Sequence, residues 1–517
     1  MSASLGHTVE IQSPDQLPLA RRLLLLSLFC LAQFLDAFNM STVFAAMPAL
    51  EQSLHVTTSQ SVWIVSAYQL TFASTLLVSG RVSDVYNPKF TFAGGIFALG
   101  LISLGAGFAN SKVILIVLRG LSGIASAMTI PSALTLLVNV FPHPVEQARA
   151  IGIFGGCGAV ADVLGFLVGA MFAQWASYRW TFWSVGIIAV PAGIICMFVM
   201  PRNTKFVESH DRSIAKWRTL DIIGVSILTA AIILFIFAVT SGPTQGWDSP
   251  VVLVSFCISV LLTVAFFCWE GLLPTERAAI PSCTWHYKNF PVLMGLALLP
   301  FLWWTVVFTI FMKLWQDVFH WSAIAAAVHM LPVGMIAFTT SFSGGLARVI
   351  NPKWITLLGL SMLALATTVL ALAGGEADQY WPFVFPAFLL GSAGAMLTFI
   401  HTNLSIFQTA PVSMSGTVGA MFNGALQIGS AVGLSAVTSI ESAIEARNGG
   451  ATGYHGRAAA FWFLLGVIVV EMVSVSCFYH RVADSHQSPL APKDMVVDHA
   501  GTLERAYNVP RDTEVNK

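Results

Sequence analysis

Apolar residues run through the chain in blocks of about 20, the length a helix needs to cross roughly 30 Å of hydrocarbon, and short polar or Gly/Pro-rich breaks separate the blocks. The pattern predicts fourteen membrane helices. The first six fall at about 23–46, 60–79, 90–109, 113–138, 150–175 and 180–200. Two more follow at about 220–240 and 251–269, and six close the series at about 290–312, 322–344, 354–374, 381–402, 416–440 and 458–477. This divides the chain into a polar tail (1–22), a six-helix bundle (23–200) and a connector holding an inserted helix pair (201–288). A second six-helix bundle (289–480) and a polar tail of mixed charge (481–517), expected to be unstructured, complete it.

Two of the breaks repeat each other. Gly80 to Lys89 reads Gly-Arg-Val-Ser-Asp-Val-Tyr-Asn-Pro-Lys, and Gly344 to Lys353 reads Gly-Gly-Leu-Ala-Arg-Val-Ile-Asn-Pro-Lys. Aligned without gaps they share the first Gly, a Val and the closing Asn-Pro-Lys, with Asp84 in one replaced by Arg348 in the other. Each follows the second helix of its bundle, so the chain reads as a duplication, and a turn rich in Gly, Pro and charge is suited to latch two halves together.

Composition narrows the class. With 56% hydrophobic and 10% charged residues, the 517-residue chain is too apolar for a soluble core, and a polytopic all-α membrane protein embedded in the lipid bilayer is expected. The formal net charge of zero argues against a nucleic-acid partner. Seven cysteines lie scattered, mostly within apolar runs, without metal-ligand spacing, and read as packing residues. No metal and no cofactor is expected. The N-terminal tail lacks the pattern of a cleaved signal, so the first apolar run is expected to be retained. Most of the Lys and Arg collect on one side, at Arg21, Arg22, Arg81, Lys89, Arg149, the basic connector, Arg348, Lys353 and the C-terminal tail, which places both termini in the cytosol.

Charges inside the apolar runs are the candidate chemistry. Counting helical rise from the nearest helix ends, Asp36, Arg119 and Asp162 all fall at about the same depth, roughly 10 Å below the outer edge of the hydrocarbon. Leaving any of them dry and unpaired costs several kcal/mol, so they should face one another or a wet cavity. Asp36 can then carry a proton as its surroundings alternate, or the three can form a permanent packing bridge. Asn39, Tyr68, Gln69, Asn423 and Gln427 offer polar contacts to a solute, and Trp303, Trp304 and Phe422 offer aromatic walls. His329 reads as a structural histidine. Gly155-Gly156-Cys157-Gly158 lies inside a membrane helix and cradles no phosphate, and neither an enzyme signature nor a nucleotide-binding domain is present.

Leu35-Asp36 through Thr42-Val43 to Met47-Pro48, Trp63 to Leu70, Gly80 to Lys89, Arg119 with Gly123, and Asp221-Ile222-Ile223-Gly224 ending in Gly246-Trp247 form a set of segments. Together they resemble the major facilitator superfamily, specifically its fourteen-helix branch of drug:proton antiporters. Val163-Leu164-Gly165 followed by Trp180-Thr181-Phe182-Trp183 is most similar to fungal members. The resemblance implies two rocking six-helix bundles and a role in proton coupling for Arg119. It also implies a cytoplasmic gate built from Gly80, Arg81, Asp84, Lys89 and Arg348 that holds the halves together while the transporter faces outward. Ser413 and Ser415, at the start of the thirteenth helix, are the expected neighbours of Asp84. The branch's fifth-helix motif is matched at Gly152, Gly165 and Gly169, small residues that permit close helix contact, but its proline is replaced by Phe166.

The expectation is a monomeric secondary transporter of the plasma membrane, driven by a proton gradient and exporting small organic molecules. Uptake or facilitated passage of a small polar or inorganic solute stays open, and a membrane receptor is disfavoured by the short tails.

Overall fold

The computed structural model describes residues 18–480 except 57, 201–220, 275–277, 281, 374, 412–413 and 446–452, together with 495–497 and 503–505. The basic connector and Ser413 lie outside the described residues. The first bundle comprises α1 (Leu19–Ala45), the short α2 (Met47–Leu54), α3 (Thr58–Val85), α4 (Pro88–Gly107), α5 (Lys112–Ala127), α6 (Thr129–Val140), α7 (Pro144–Trp175) and α8 (Arg179–Val199). The inserted pair is α9 (Ile222–Gln245) and α10 (Pro250–Leu272). The second bundle comprises α11 (Phe290–Leu296), α12 (Leu299–Lys313), α13 (Ala323–Ser341), α14 (Pro352–Leu372), α15 (Phe385–Thr409), α16 (Ser415–Glu445) and α17 (His455–Phe478). Among the described residues, 13 stretches are long and apolar enough to cross a membrane. With α3, which fills the place of the second predicted span, they make up the fourteen.

Two predicted helices prove to be broken. The fourth is interrupted at Met128, between α5 and α6, and the ninth between α11 and α12. The expectation of an unstructured C-terminal tail also needs correcting: Met495–Val497 pairs antiparallel with Leu503–Arg505 in a two-stranded hairpin, with Val496 opposite Glu504.

Within the first bundle α1 packs along α7, α4 along α8 and α3 along α5. In the second, α14 packs on α15 and α17, and α12 on α16. The bundles meet where α13 lies on α7 and α16 on α3. The inserted pair sits at this seam. From α9, Thr229 donates to the Ser74 carbonyl in α3 (3.1 Å), while the Val239 carbonyl accepts from Ser435 in α16 (2.7 Å). The outer face of α10 is largely lipid-accessible, with Leu261 and Leu272 exposed.

The duplicated Asn-Pro-Lys segments do the same work in both bundles. Asn87 and Asn351 each accept a hydrogen bond from the backbone N–H two residues on, at 3.0 Å in both copies, capping helices α4 and α14 whose first residue is the proline. The lysine then reaches back to the last helix of its own bundle. Lys89 Nζ donates to the Met200 carbonyl (2.7 Å), and Lys353 Nζ to the Ser476 and Tyr479 carbonyls (both 2.8 Å). A cation on a helix C-terminus satisfies both the orphan carbonyls and the dipole. Lys89 is therefore a clasp inside its own bundle, its nearly buried side chain reaching the end of α8.

A charge-assisted bond of this kind contributes about 1.5–3 kcal/mol. Lys89→Met is expected to lower the thermal unfolding midpoint of the detergent-solubilised protein, and Lys353→Met to do the same. The double variant should lose about the sum, since the two clasps lie in different bundles and share no partner.

Candidate functional site

Helices from both bundles converge on a central cavity of about 170 Å³. Each contributes a stripe at helical spacing: Gln33, Asp36, Ala37 and Met40 from α1; Gly155, Gly158, Ala159 and Asp162 from α7; Phe301, Trp304, Thr305 and Phe308 from α12; Asn423, Gln427 and Ser430 from α16. Tyr68, Gln69 and Phe72 from α3, Ile130 from α6, Val333, Gly334 and Ala337 from α13, and Met396 and Phe399 from α15 complete the walls. Of the predicted contacts, Tyr68, Gln69, Trp304, Asn423 and Gln427 line this space.

Three others do not, for identifiable reasons. Trp303 is fully buried behind the wall, its indole N–H donated to Thr367 Oγ1 (3.0 Å). Phe422 is also fully buried, packed on Phe399 with ring centroids 5.3 Å apart. Asn39 is turned away from the cavity and accepts a hydrogen bond from Arg119 Nη1 (3.1 Å). One helical step rotates a side chain by about 100°, so neighbours of cavity residues face elsewhere. His329 stands apart, wedged between Trp321 and Tyr380 with ring centroids 4.5 Å away on each side.

The three intramembrane charges are brought together, but not as an ion pair. Arg119 spends its guanidinium on Asn39 and, through Nε, on the Ile64 carbonyl (3.0 Å), and lies over the Tyr68 ring at 4.4 Å. The same tyrosine hydroxyl is hydrogen-bonded to Asp36 and lies 2.7 Å from Ser126 Oγ. Tyr68 thus stands between acid and base, touching both. Gly123 makes this possible: a Cβ there would meet Thr71 Oγ1 at 2.2 Å and the Tyr68 carbonyl at 2.4 Å, so glycine lets α5 close on α3. Asp162 lines the same cavity from α7, the helix packed along α1, and makes no hydrogen bond or ion pair with the described residues.

At the end of the molecule where the Asn-Pro-Lys turns lie, a carboxylate helps join the halves. Asp84 accepts from the backbone N–H groups of Gly416 (2.8 Å) and Thr417 (2.7 Å) and from Thr417 Oγ1 (2.7 Å), capping the N-terminus of α16 from the opposite bundle. The segment read as a loop is mostly helix, for α3 continues to Val85, and Gly80 serves contact instead of a turn. A Cβ on Gly80 would lie 2.5 Å from the Gly416 carbonyl oxygen. Arg81, almost buried beside Asp84, also feels the carboxylates of Asp221 and Glu270. The side chain of Arg348 lies outside the described residues.

The fifth-helix glycines divide their work. Gly152 meets Ser341 of the other bundle, where a Cβ would stand 2.2 Å from its carbonyl oxygen. Gly165 and Gly169 seat α7 on Ser41 and Thr42 of α1 in the same bundle.

Reading single residues missed Gln33, Phe301, Phe308 and Phe399. The signal for Gln33 was available, since it lies one turn from Asp36 on the same face. The phenylalanines sit among so many apolar neighbours that nothing in the sequence separates cavity from lipid.

A cavity lined by buried acids at the seam of two membrane-helix bundles fits a solute-carrying membrane transporter. The comparisons agree: the family model described as Major Facilitator Superfamily matches residues 29–434. The chain belongs to the Major Facilitator Superfamily. It is 27% identical over 458 residues to the multidrug transporter mfsC of Aspergillus fumigatus, covering 86% of this chain and 85% of that one. It is also 27% identical over 500 residues to the puromycin resistance protein pur8 of Streptomyces alboniger (92% and 93%). The cephamycin export protein CmcT of Amycolatopsis lactamdurans is 26% identical over 425 residues (80% and 84%). Among solved structures, the human organic anion transporter MFSD10 superposes with a TM-score of 0.61 at 15% identity, covering 89% of this chain and all of that one, which speaks to the fold.

If Asp84 holds the seal, removing it should loosen that end. A cysteine placed at buried Thr402 on a cysteine-free background should react with a thiol reagent roughly ten times faster or more once Asp84→Ala is added, each lost charge-assisted bond being worth about 1.5–3 kcal/mol. Unchanged labelling would show that other contacts seal this end.

Proposed function

We propose that the chain exports small organic molecules by proton-coupled antiport, its two bundles rocking about the central cavity with both termini in the cytosol of a plasma-membrane transporter. The observation that carries the reading is Asp36 in the cavity wall, tied to Tyr68 rather than locked onto Arg119. A carboxylate with a permanent guanidinium partner would stay charged through the cycle. One held by a neutral hydroxyl, with the cation a ring's thickness away, can take up and release a proton as access to it changes. The multidrug, puromycin and cephamycin relatives support outward movement of organic solutes.

In this scheme the Asp84 cap holds the cytosolic side shut while the cavity is reached from outside, and Gly152 against Ser341 is part of the same closed face. Release of Asp84 from the start of α16 accompanies the switch. At about 170 Å³ the cavity is below the roughly 300–1,000 Å³ of sites for drug-sized ligands, so larger cargo requires the helices to part.

Inverted membrane vesicles test the proposal. An imposed proton gradient, acid inside, should drive accumulation of a transported solute, and Asp36→Asn should abolish accumulation at equal protein abundance while leaving gradient-independent exchange measurable. Equilibration indifferent to the gradient would instead favour facilitated passage.

A further inference from the structure

The inserted helices carry a pair of acids that the scheme above leaves without a task. Asp221, the N-cap of α9, and Glu270, in the last turn of α10, are 8% and 2% exposed, and their carboxyl groups lie within hydrogen-bonding reach of each other. One oxygen of each is committed. Asp221 Oδ1 accepts from the Gly224 backbone N–H (2.9 Å) and the Trp269 indole N–H (3.0 Å), and Glu270 Oε1 accepts from the Ala279 N–H (3.0 Å). The other two oxygens, Asp221 Oδ2 and Glu270 Oε2, are buried and receive no hydrogen bond from a described donor. Two carboxylates turned on each other in a poorly solvated place repel strongly, whereas one shared proton makes the contact a hydrogen bond.

Arg81 links this pair to the contact between the halves. Its guanidinium feels three carboxylates: Asp84 on its own helix, and Asp221 and Glu270 on the inserted helices. Arg81 and Asp221 line one groove of about 350 Å³ between α3 and α9, whose other walls, including Val78, Val82, Val225 and Ile233, are mostly apolar. Charges there are weakly screened, so a change on one acid is felt by the others through the cation they share. Facing the pair are Arg81 from α3 with Asp84 beyond it, the Trp269 indole from α10, and the backbone N–H groups of Ala279 and Ile280 from the segment after α10. Thr229, hydrogen-bonded to the Ser74 carbonyl, holds this part of α9 to the first bundle, on the same side of the seam as Asp84.

We propose that the inserted helices regulate the switch between the transporter's two states: Asp221 and Glu270 hold one proton between them, and through Arg81 its presence sets how readily Asp84 leaves α16. With the proton in place the pair carries one negative charge and Arg81 is available to Asp84. Released from the start of α16, Asp84 finds it three residues back on the same helix, a spacing at which helical side chains meet. When the proton passes to water the pair carries two negative charges and draws Arg81 to itself. Asp84 then has no cation to receive it and stays on Gly416 and Thr417. Rising pH thus favours the state in which the halves are joined at this end, and falling pH the state in which they part. The proposal rests on the rocking scheme for the meaning of the Asp84 contact, and is independent of the cargo and of Asp36.

Spin labels test this. Placed on a cysteine-free background at exposed Tyr86 and Val349, one in each bundle at this end, they report the joined and parted populations of the purified full-length protein by double electron–electron resonance. Between about pH 5.5 and about pH 8.5, the joined-to-parted ratio should rise at least threefold more with the native pair than in Glu270→Gln, whose amide keeps one negative charge and a hydrogen bond to Asp221. The cavity acids titrate in both proteins, so their effect drops out of the comparison. Asp221→Asn, which still caps α9, should flatten the profile equally, and the double variant should flatten it no further. A ratio that rises as steeply in Glu270→Gln as with the native pair overturns the proposal, as does one that falls with pH relative to the variant. Should Glu270→Gln not fold, Asp221→Asn decides by the same comparison. A single distance at every pH, kept in Asp84→Ala, overturns the rocking scheme and the proposal together; two populations indifferent to the acid pair overturn the proposal alone.

Discussion

Ionised groups are costly in hydrocarbon, and the rest of this structure follows from how it meets that cost. A guanidinium or carboxylate at this depth must find partners from within the protein, because lipid supplies none. Arg119 finds an amide, a carbonyl and a ring; Asp36 finds a hydroxyl; Asp84 finds the open end of a helix. Each solution joins two or more helices, so the places where charge is buried are also the places where the helices are held in register. Asp162 lines the cavity and has no hydrogen bond or ion pair among the described residues.

The duplication separates what holds a bundle from what joins the two. Asn-Pro-Lys appears twice and acts twice, each copy capping the third helix of its own bundle and tying it to the end of the last through one lysine clasp. Asp84 has no acidic counterpart, since Arg348 takes its place, and it is the residue that reaches across. An exact repeat of Asp84 would put a second acid at the corresponding position, whereas the seal needs one acid and one helix N-terminus. The inserted pair adds a constraint of its own. Because α9 is hydrogen-bonded to α3 in one bundle and α16 in the other, any rocking of the halves has to slide or strain those bonds.

Much of the fold was legible because hydrophobic length and turn chemistry are local properties. A run of about 20 apolar residues can only be a spanning helix, and Asn-Pro can only start one cleanly. The breaks at Met128 and between Leu296 and Leu299 were not legible, since apolar sequence continues across both. Of the site, the acids and Arg119 were legible through their cost. Which amides and aromatics join them was not: Trp304 lines the cavity and Trp303 beside it does not, a difference set by about 100° of helix rotation.

The sequence by itself determined that this is a duplicated bundle of fourteen membrane helices with three ionisable groups at one depth, because lipid permits no other reading of such lengths and such charges. Tertiary structure alone decided that Arg119 and Asp36 meet through Tyr68 and not directly, that Lys89 serves its own bundle while Asp84 serves the other, and that Asp162 is left facing the cavity. Those outcomes depend on helix rotation and on how closely backbones approach at Gly80, Gly123 and Gly165, distances that are set between helices distant in the chain.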